Sequence, residues 1–248
     1  MSLDAERRSA VGFGAAVHLA RFALILAVVT LVPLVGITGW YAGLTANVAC
    51  TVFAVWLVTR QGLWRSSGFL VPFRSRWALL ALAPFVLDTA LWALPGGLEV
   101  DAPGIPLWSL TLLLVGVNEE LISRVVVLER MRRSFAPLAA AAVTGALFGL
   151  QHLSHLVTTG RDPGDVLVNV LLSGIAGFAL ASYQLRFAWI WPLMLLHAAS
   201  DFTAIHATVD APVAWYVAIH LVFIAVGVWL LRPSDLRREI VDARVRAA

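Results

Sequence analysis

The sequence predicts an all-α, polytopic membrane protein of about eight transmembrane helices, with a polar site enclosed in the bundle. Three observations carry this. The 248-residue chain is 60% hydrophobic and only 13% charged, with ten tryptophans and a mean hydropathy of +0.85; such a composition belongs to membrane-embedded chains. Apolar segments recur at the ~20-residue length that a helix needs to cross a bilayer. Basic residues crowd alternate connections, as they do when one set of loops stays on the cytoplasmic side.

The spans run at roughly 15–37, 41–59, 77–95, 107–129, 136–157, 165–185, 188–208 and 213–231. Every basic residue is an arginine. Arg7 and Arg8 precede the first span, and Arg60, Arg65, Arg74 and Arg76 fill the connection after the second. Arg130, Arg132 and Arg133 follow the fourth, Arg186 follows the sixth, and the tail carries arginines from Arg232 to Arg246. Connections on the other face hold only Arg161. Both termini are therefore expected in the cytoplasm, with the protein multi-pass in the cell's inner (plasma) membrane. Two arginines before an apolar run resemble a signal peptide, but no small-residue cleavage site follows, so the first segment is expected to be retained. The stretch from Arg60 to Arg76 mixes arginines with Trp64, Phe69 and Phe73 and suits a helix or loop lying in the interface. Residues 232–248 alternate acidic and basic side chains and suit a short cytoplasmic surface helix. Residues 1–248 are expected to form one membrane domain. The net charge of +3 is not a nucleic-acid signature here, because the arginines sit at the membrane surface. Cys50 lies in an apolar run and is expected to act as a small buried hydrophobe.

The fourth span holds Glu119 and Glu120, with Arg124 one turn later. Each carboxylate at that depth costs about 2.5–3.5 kcal/mol, so ionisable residues there mark functional sites by default. Residues four apart share a helical face while neighbours diverge by about 100°. Glu120 and Arg124 are thus expected to pair, leaving Glu119 on another face without an arginine at that spacing. Two like carboxylates in unlike environments suit acid–base chemistry. The competing interpretation is a structural ion pair beside a cavity-facing acid. In the fifth span Phe148, His152 and His155 share a face, and in the seventh His197 and Asp201 lie one turn apart. His18, His206 and His220 are more simply helix–helix hydrogen-bonding residues. Gly145 and Gly149 form a small-xxx-small pair that admits a neighbouring backbone. Arg21 and Asp88, also within spans, either pair with each other or line the cavity.

Three motifs in order resemble the CPBP intramembrane proteases, which include the type II CAAX prenyl endopeptidases. Glu119-Glu120-Leu-Ile-Ser-Arg124 fits Glu-Glu-x-x-x-Arg, Phe148-Gly-Leu-Gln-His152 fits Phe-x-x-x-His, and His197-Ala-Ala-Ser-Asp201 fits His-x-x-x-Asn/Asp. The motif-bearing core covers about residues 107–205. The resemblance implies an intramembrane endopeptidase in which Glu119 and His152 activate a water, while His197 and Asp201 sit at the oxyanion. An ionised Asp cannot donate to an oxyanion, so Asp201 is expected to orient His197 or to stay protonated. Glu120 and Arg124 would hold the helix and set the field around Glu119.

No cofactor is expected. Zinc is the alternative, with Glu119, His152, His197 and Asp201 as the ligands it would take, but there is no His-Glu-x-x-His helix. Counted from the arginine-rich ends, Glu119 lies roughly 16 Å deep, His197 about 13 Å and His152 over 20 Å, so the fifth span must tilt or start deeper near Pro137. Two other functions compete: a catalytically inactive scaffold of the same fold, which would have lost a motif residue, and an ion- or proton-coupled transporter, which would show internal repeats. Neither feature is found. The expected partners are the bilayer and a membrane-associated peptide or protein substrate, with no nucleic acid. An arginine-rich, lysine-free composition suggests a bacterium of high GC content, in which prenylated substrates would be unexpected.

Overall fold

The computed structural model describes residues 3–232, and the expected helix of the tail lies outside them. Among these residues the chain is all-helical, and its one β contact is an isolated bridge between Leu98 and Ala207. α1 (Leu3–Leu31) runs into a 3₁₀ turn over Val32–Val35 that closes on Gly36 at φ 83°, a left-handed conformation natural to glycine. α2 is Trp40–Arg60. Turns, not helix, fill the connection from residue 61 to residue 75, where the side chains of Leu70 and Phe73 are exposed beside the arginines. α3 (Arg76–Leu80) starts at Ser75, whose hydroxyl accepts the Ala78 N–H at 3.0 Å, a standard N-cap. α4 (Ala83–Ala93) follows after a break just before Pro84, which cannot donate to the preceding turn.

The centre of the molecule is one long helical run. α5 (Ile105–Glu120) passes directly into a π-helical segment, Leu121–Val127, and then into α6 (Leu128–Ser134). All seven π-helical residues are buried. α7 (Pro137–Gln151) begins with proline in its first turn and tightens into a 3₁₀ turn at His152–Ser154, followed by the short α8 (His155–Thr158). α9 (Pro163–Phe187) is capped by Asp162, which accepts the Gly164 N–H at 2.7 Å. α10 (Ile190–His206) and α11 (Val213–Leu230) complete the chain.

Five of the eight expected spans correspond to helices long and apolar enough to cross a membrane: Leu3–Val35, Trp40–Arg60, Arg76–Ala93, Pro163–Phe187 and Val213–Leu230. The other three carry the motifs and are shorter. α5, α7 and α10 have 16, 15 and 17 residues. Each is interrupted where the site lies or where the chain turns into the protein: α5 gives way to the π segment, α7 tightens at His152, and α10 begins on the buried Ile190.

Glycines set the closest approaches. A Cβ on Gly149 would meet the Val170 carbonyl oxygen, and one on Gly145 would lie 2.6 Å from Phe178 N and 2.7 Å from Gly174 O. The small-xxx-small pair therefore seats α7 against the backbone of α9. Gly116 does the same for α5 against α10, where a Cβ would meet the Met194 carbonyl oxygen. These contacts bring α5, α7 and α10 close enough for short side chains to meet.

Two features set the site residues at matching heights along the bundle. Because the central helix continues to Ser134, Glu119 lies 15 residues from its arginine-rich end, and His152 lies 15 residues from Pro137. At about 1.5 Å per residue both are about 20 Å from that side, so they are level without an added tilt. α10 starts deep because the connection after α2 lies beneath it. Ile190 N–H donates to Ser67 O at 3.2 Å, Gln184 Nε2 donates to Ser67 O at 2.9 Å, and the Trp189 and Trp191 indoles donate to Val71 O at 2.7 and 2.8 Å. Gly68, at φ 72°, packs on the Ala188 carbonyl, where a Cβ has no room.

Candidate active site

The two glutamates have separate partners, though not in the way their spacing suggests. Glu120 is fully buried, with Arg124 Nη2 3.2 Å from its Oε1, as the i,i+4 spacing predicts. The contact is an ion pair by distance rather than an aligned hydrogen bond. The guanidinium instead lies over the Phe148 ring, with its carbon 4.1 Å from the ring centroid. Glu119 is not left unpaired. Arg21 Nη2 of α1 donates to its Oε1 at 2.7 Å, and Gln151 Nε2 of α7 donates to its Oε2 at 3.0 Å. The spacing argument missed Arg21 because a partner from another helix leaves no trace in helical periodicity.

His197 joins the pair. Its Nδ1 is 2.9 Å from Glu120 Oε1, which fixes a proton on Nδ1 because a carboxylate only accepts. Its Nε2 then points to the open side, 3.8 Å from Glu119 Oε2 and 3.6 Å from Asp201 Oδ2. Both distances are too long for direct hydrogen bonds. His152 is not among the hydrogen-bond partners of Glu119. Its Nδ1 meets the Phe148 carbonyl at 3.0 Å, so Nδ1 carries the proton and Nε2 keeps its lone pair. The Phe148 ring stands edge-on to both histidines, at centroid distances of 5.3 Å to His152 and 5.9 Å to His197. The phenylalanine of the second motif thus separates the buried cation from the two imidazoles.

Exposure rises across the group. The side chains of Glu120 and Arg124 are 0% exposed, Glu119 9%, His197 12% and Asp201 36%. The site therefore opens on the Asp201 side, and the Glu120–Arg124 pair is its floor.

Several neighbours were not legible as site residues. Arg21 does not pair with Asp88: Asp88 instead accepts the Ser200 hydroxyl at 2.7 Å, next to Asp201 in the chain. Gln151 and Asn118 each stand one residue before a motif residue, and only that adjacency could have singled them out. His18 makes the helix–helix hydrogen bond expected of it, with Nδ1 of α1 2.9 Å from Gln151 Oε1 of α7, and Gln151 in turn donates to Glu119. His155 lies edge-on to His152 at 5.5 Å and 3.4 Å from Asn169, at the outer rim. His206 and His220 stay away from the site. His206 stacks edge-on against Trp108, and His220 bonds to the Tyr216 carbonyl.

The four residues that zinc would take do not form a metal cradle. Both Glu119 oxygens already accept from Arg21 and Gln151, and among the described residues no three His, Cys, Asp or Glu side chains converge in a metal-holding arrangement.

The fold and this group of side chains define a helical membrane protein with carboxylates and imidazoles gathered inside its bundle. Residues 101–203, which run from just before α5 into α10 and contain all three motifs, match the family model described as type II CAAX prenyl endopeptidase Rce1-like. That match supports assignment to the CAAX protease-like family of membrane proteins. No curated protein and no solved structure matches the chain.

Proposed function

We propose that the protein is an intramembrane endopeptidase that hydrolyses a peptide bond at or near the membrane, using Glu119 and His152 to activate water. The observation that carries this is the placement of His197 Nε2, from α10, 3.8 Å from Glu119 Oε2 of α5 and 3.6 Å from Asp201 Oδ2, on the open side of the buried Glu120–Arg124 pair. A water between Glu119 Oε2 and the free Nε2 of His152 gives up one proton to this pair while its oxygen adds to the scissile carbonyl carbon. The carbonyl π electrons move to oxygen, and the resulting oxyanion faces His197 Nε2. A ring that carries both protons can donate there, and Glu120 and Asp201 on either side balance its charge. Collapse of the intermediate breaks the C–N bond, and the proton taken from water passes to the leaving amine. No metal takes part in these steps. Cleavage is therefore expected to persist after incubation with a chelator, with no stoichiometric zinc in elemental analysis of the purified protein. Loss of activity on chelation and its return with zinc would overturn this.

In this scheme all eight apolar segments cross or enter the inner (plasma) membrane, both termini are cytoplasmic, and the substrate is a membrane-associated peptide or protein reaching the site past Asp201. Substrate trapping tests the function. Membranes holding the Glu119→Gln variant should accumulate peptides or proteins that are processed in membranes holding the wild type. If the two sets are the same, the protein is a scaffold of protease ancestry instead.

A further inference from the structure

Glu119 is held by a closed ring of side chains drawn from outside the family-matched segment as well as inside it. Arg21 Nη2 donates to Glu119 Oε1 at 2.7 Å, and Arg21 Nε donates to Asn118 Oδ1 at 2.8 Å, so one guanidinium grips two adjacent residues of α5. Gln151 Nε2 donates to the other Glu119 oxygen at 3.0 Å. The Gln151 carbonyl oxygen accepts from His18 Nδ1 at 2.9 Å, and His18 lies three residues before Arg21 on the same face of α1. Asn118 is tied in turn to Asn47 of α2 at 3.3 Å. Arg21, Asn118 and Glu119 are all buried, at 8%, 0% and 7% exposure.

This geometry points to Arg21 as a positioning residue for the Glu119 carboxylate, with α1 supplying through Arg21 and His18 a clamp that completes the active site. The inference rests on Glu119 acting as the base, as proposed above. Arg21 does not reach the reacting atoms. It takes Oε1, and Gln151 takes one lone pair of Oε2, which leaves the other lone pair of Oε2 for a water, with His197 Nε2 3.8 Å from that oxygen. The carboxylate plane is thereby fixed, and so is the position of the water it can activate. A guanidinium suits this because its planar fork meets two acceptors at once. A lysine ammonium keeps the charge but loses the fork.

The test uses the full-length protein in lipid vesicles, with a pool of fluorogenic peptides bearing a fluorophore and quencher around a randomised apolar segment. Arg21→Gln should lower kcat about 10²-fold with KM unchanged, since a small misplacement of a reacting group has that effect. Arg21→Lys should recover kcat to within about tenfold of wild type. Isotope-edited infrared spectra, with the Glu119→Gln spectrum subtracted, isolate the Glu119 carboxylate bands. Those bands should move in Arg21→Gln and, less, in Arg21→Lys. A contribution to helix packing alone would lower the folded fraction and leave both kcat per folded molecule and the bands unchanged, and that result overturns the inference. If Arg21→Gln does not fold, the infrared bands of Arg21→Lys decide. Wild type that cuts no peptide, or Glu119→Gln that cuts as wild type does, defeats the proposed function instead. The infrared comparison still reports in that case whether Arg21 holds Glu119.

Discussion

Glu119→Gln is expected to lower peptide cleavage at least about 10³-fold while the protein inserts and folds, and His152→Ala should do the same. The amide keeps the size of the carboxylate, and its oxygen can still accept from Arg21; its NH2 then faces Gln151, which can turn its own amide oxygen to accept, so the ring around position 119 survives in outline. What it loses is a group able to take the proton of a water. His152→Ala removes the free Nε2 and leaves the backbone turn at 152–154 in place, because the Phe148 carbonyl loses only a side-chain donor. The measurement is turnover per folded molecule, with folding followed by thermal unfolding in detergent. Full activity of purified Glu119→Gln would remove Glu119 as the base. A variant dead at 119 but active at 152 would hand the proton transfer to Glu119 alone, or move the partner role to His197, whose Nε2 lies 3.8 Å from Glu119.

How much of this was legible in the sequence differs by kind of information. Hydropathy found every long helix, because exclusion of water from a span acts on each residue independently. The Glu120–Arg124 pair was legible for a similar reason: it is an i,i+4 contact within one segment. Glu119's partner was not, because Arg21 lies 98 positions away and reaches it only through the packing of α1 beside α5. The sequence drew attention to Arg21 as a charge within a span but offered only Asp88 or the cavity wall as its surroundings, not Glu119. Depth was misjudged at the same point. The central run looked as though it ended near 129, yet it continues through the π segment to Ser134, and that extension makes Glu119 level with His152. No propensity marks Leu-Ile-Ser-Arg-Val-Val-Val as π-helical; the segment is buried throughout, and such insertions recur near functional sites.

The second large effect is on stability. Arg124→Met is expected to destabilise the protein by about 3–5 kcal/mol, whereas the double change Glu120→Gln with Arg124→Met should recover most of that loss. Both side chains are wholly buried, so removing the cation leaves Glu120 with His197 as its hydrogen-bond partner and an Oε2 that no protein group bonds. An uncompensated carboxylate in that surrounding is far more costly than the pair. Methionine fills much of the arginine stem's volume and can lie against Phe148, so the difference between the single and double variants reports charge rather than lost packing. Glutamine at 120 still accepts from His197 Nδ1, which keeps the imidazole oriented. Thermal or denaturant unfolding of the three variants and the wild type in one detergent measures the coupling directly. If the double variant is no more stable than Arg124→Met, the guanidinium acts through its stacking on Phe148 and not through Glu120. The buried pair would then be a packing device beneath the site, and the charge that shapes the field around Glu119 would come from Arg21.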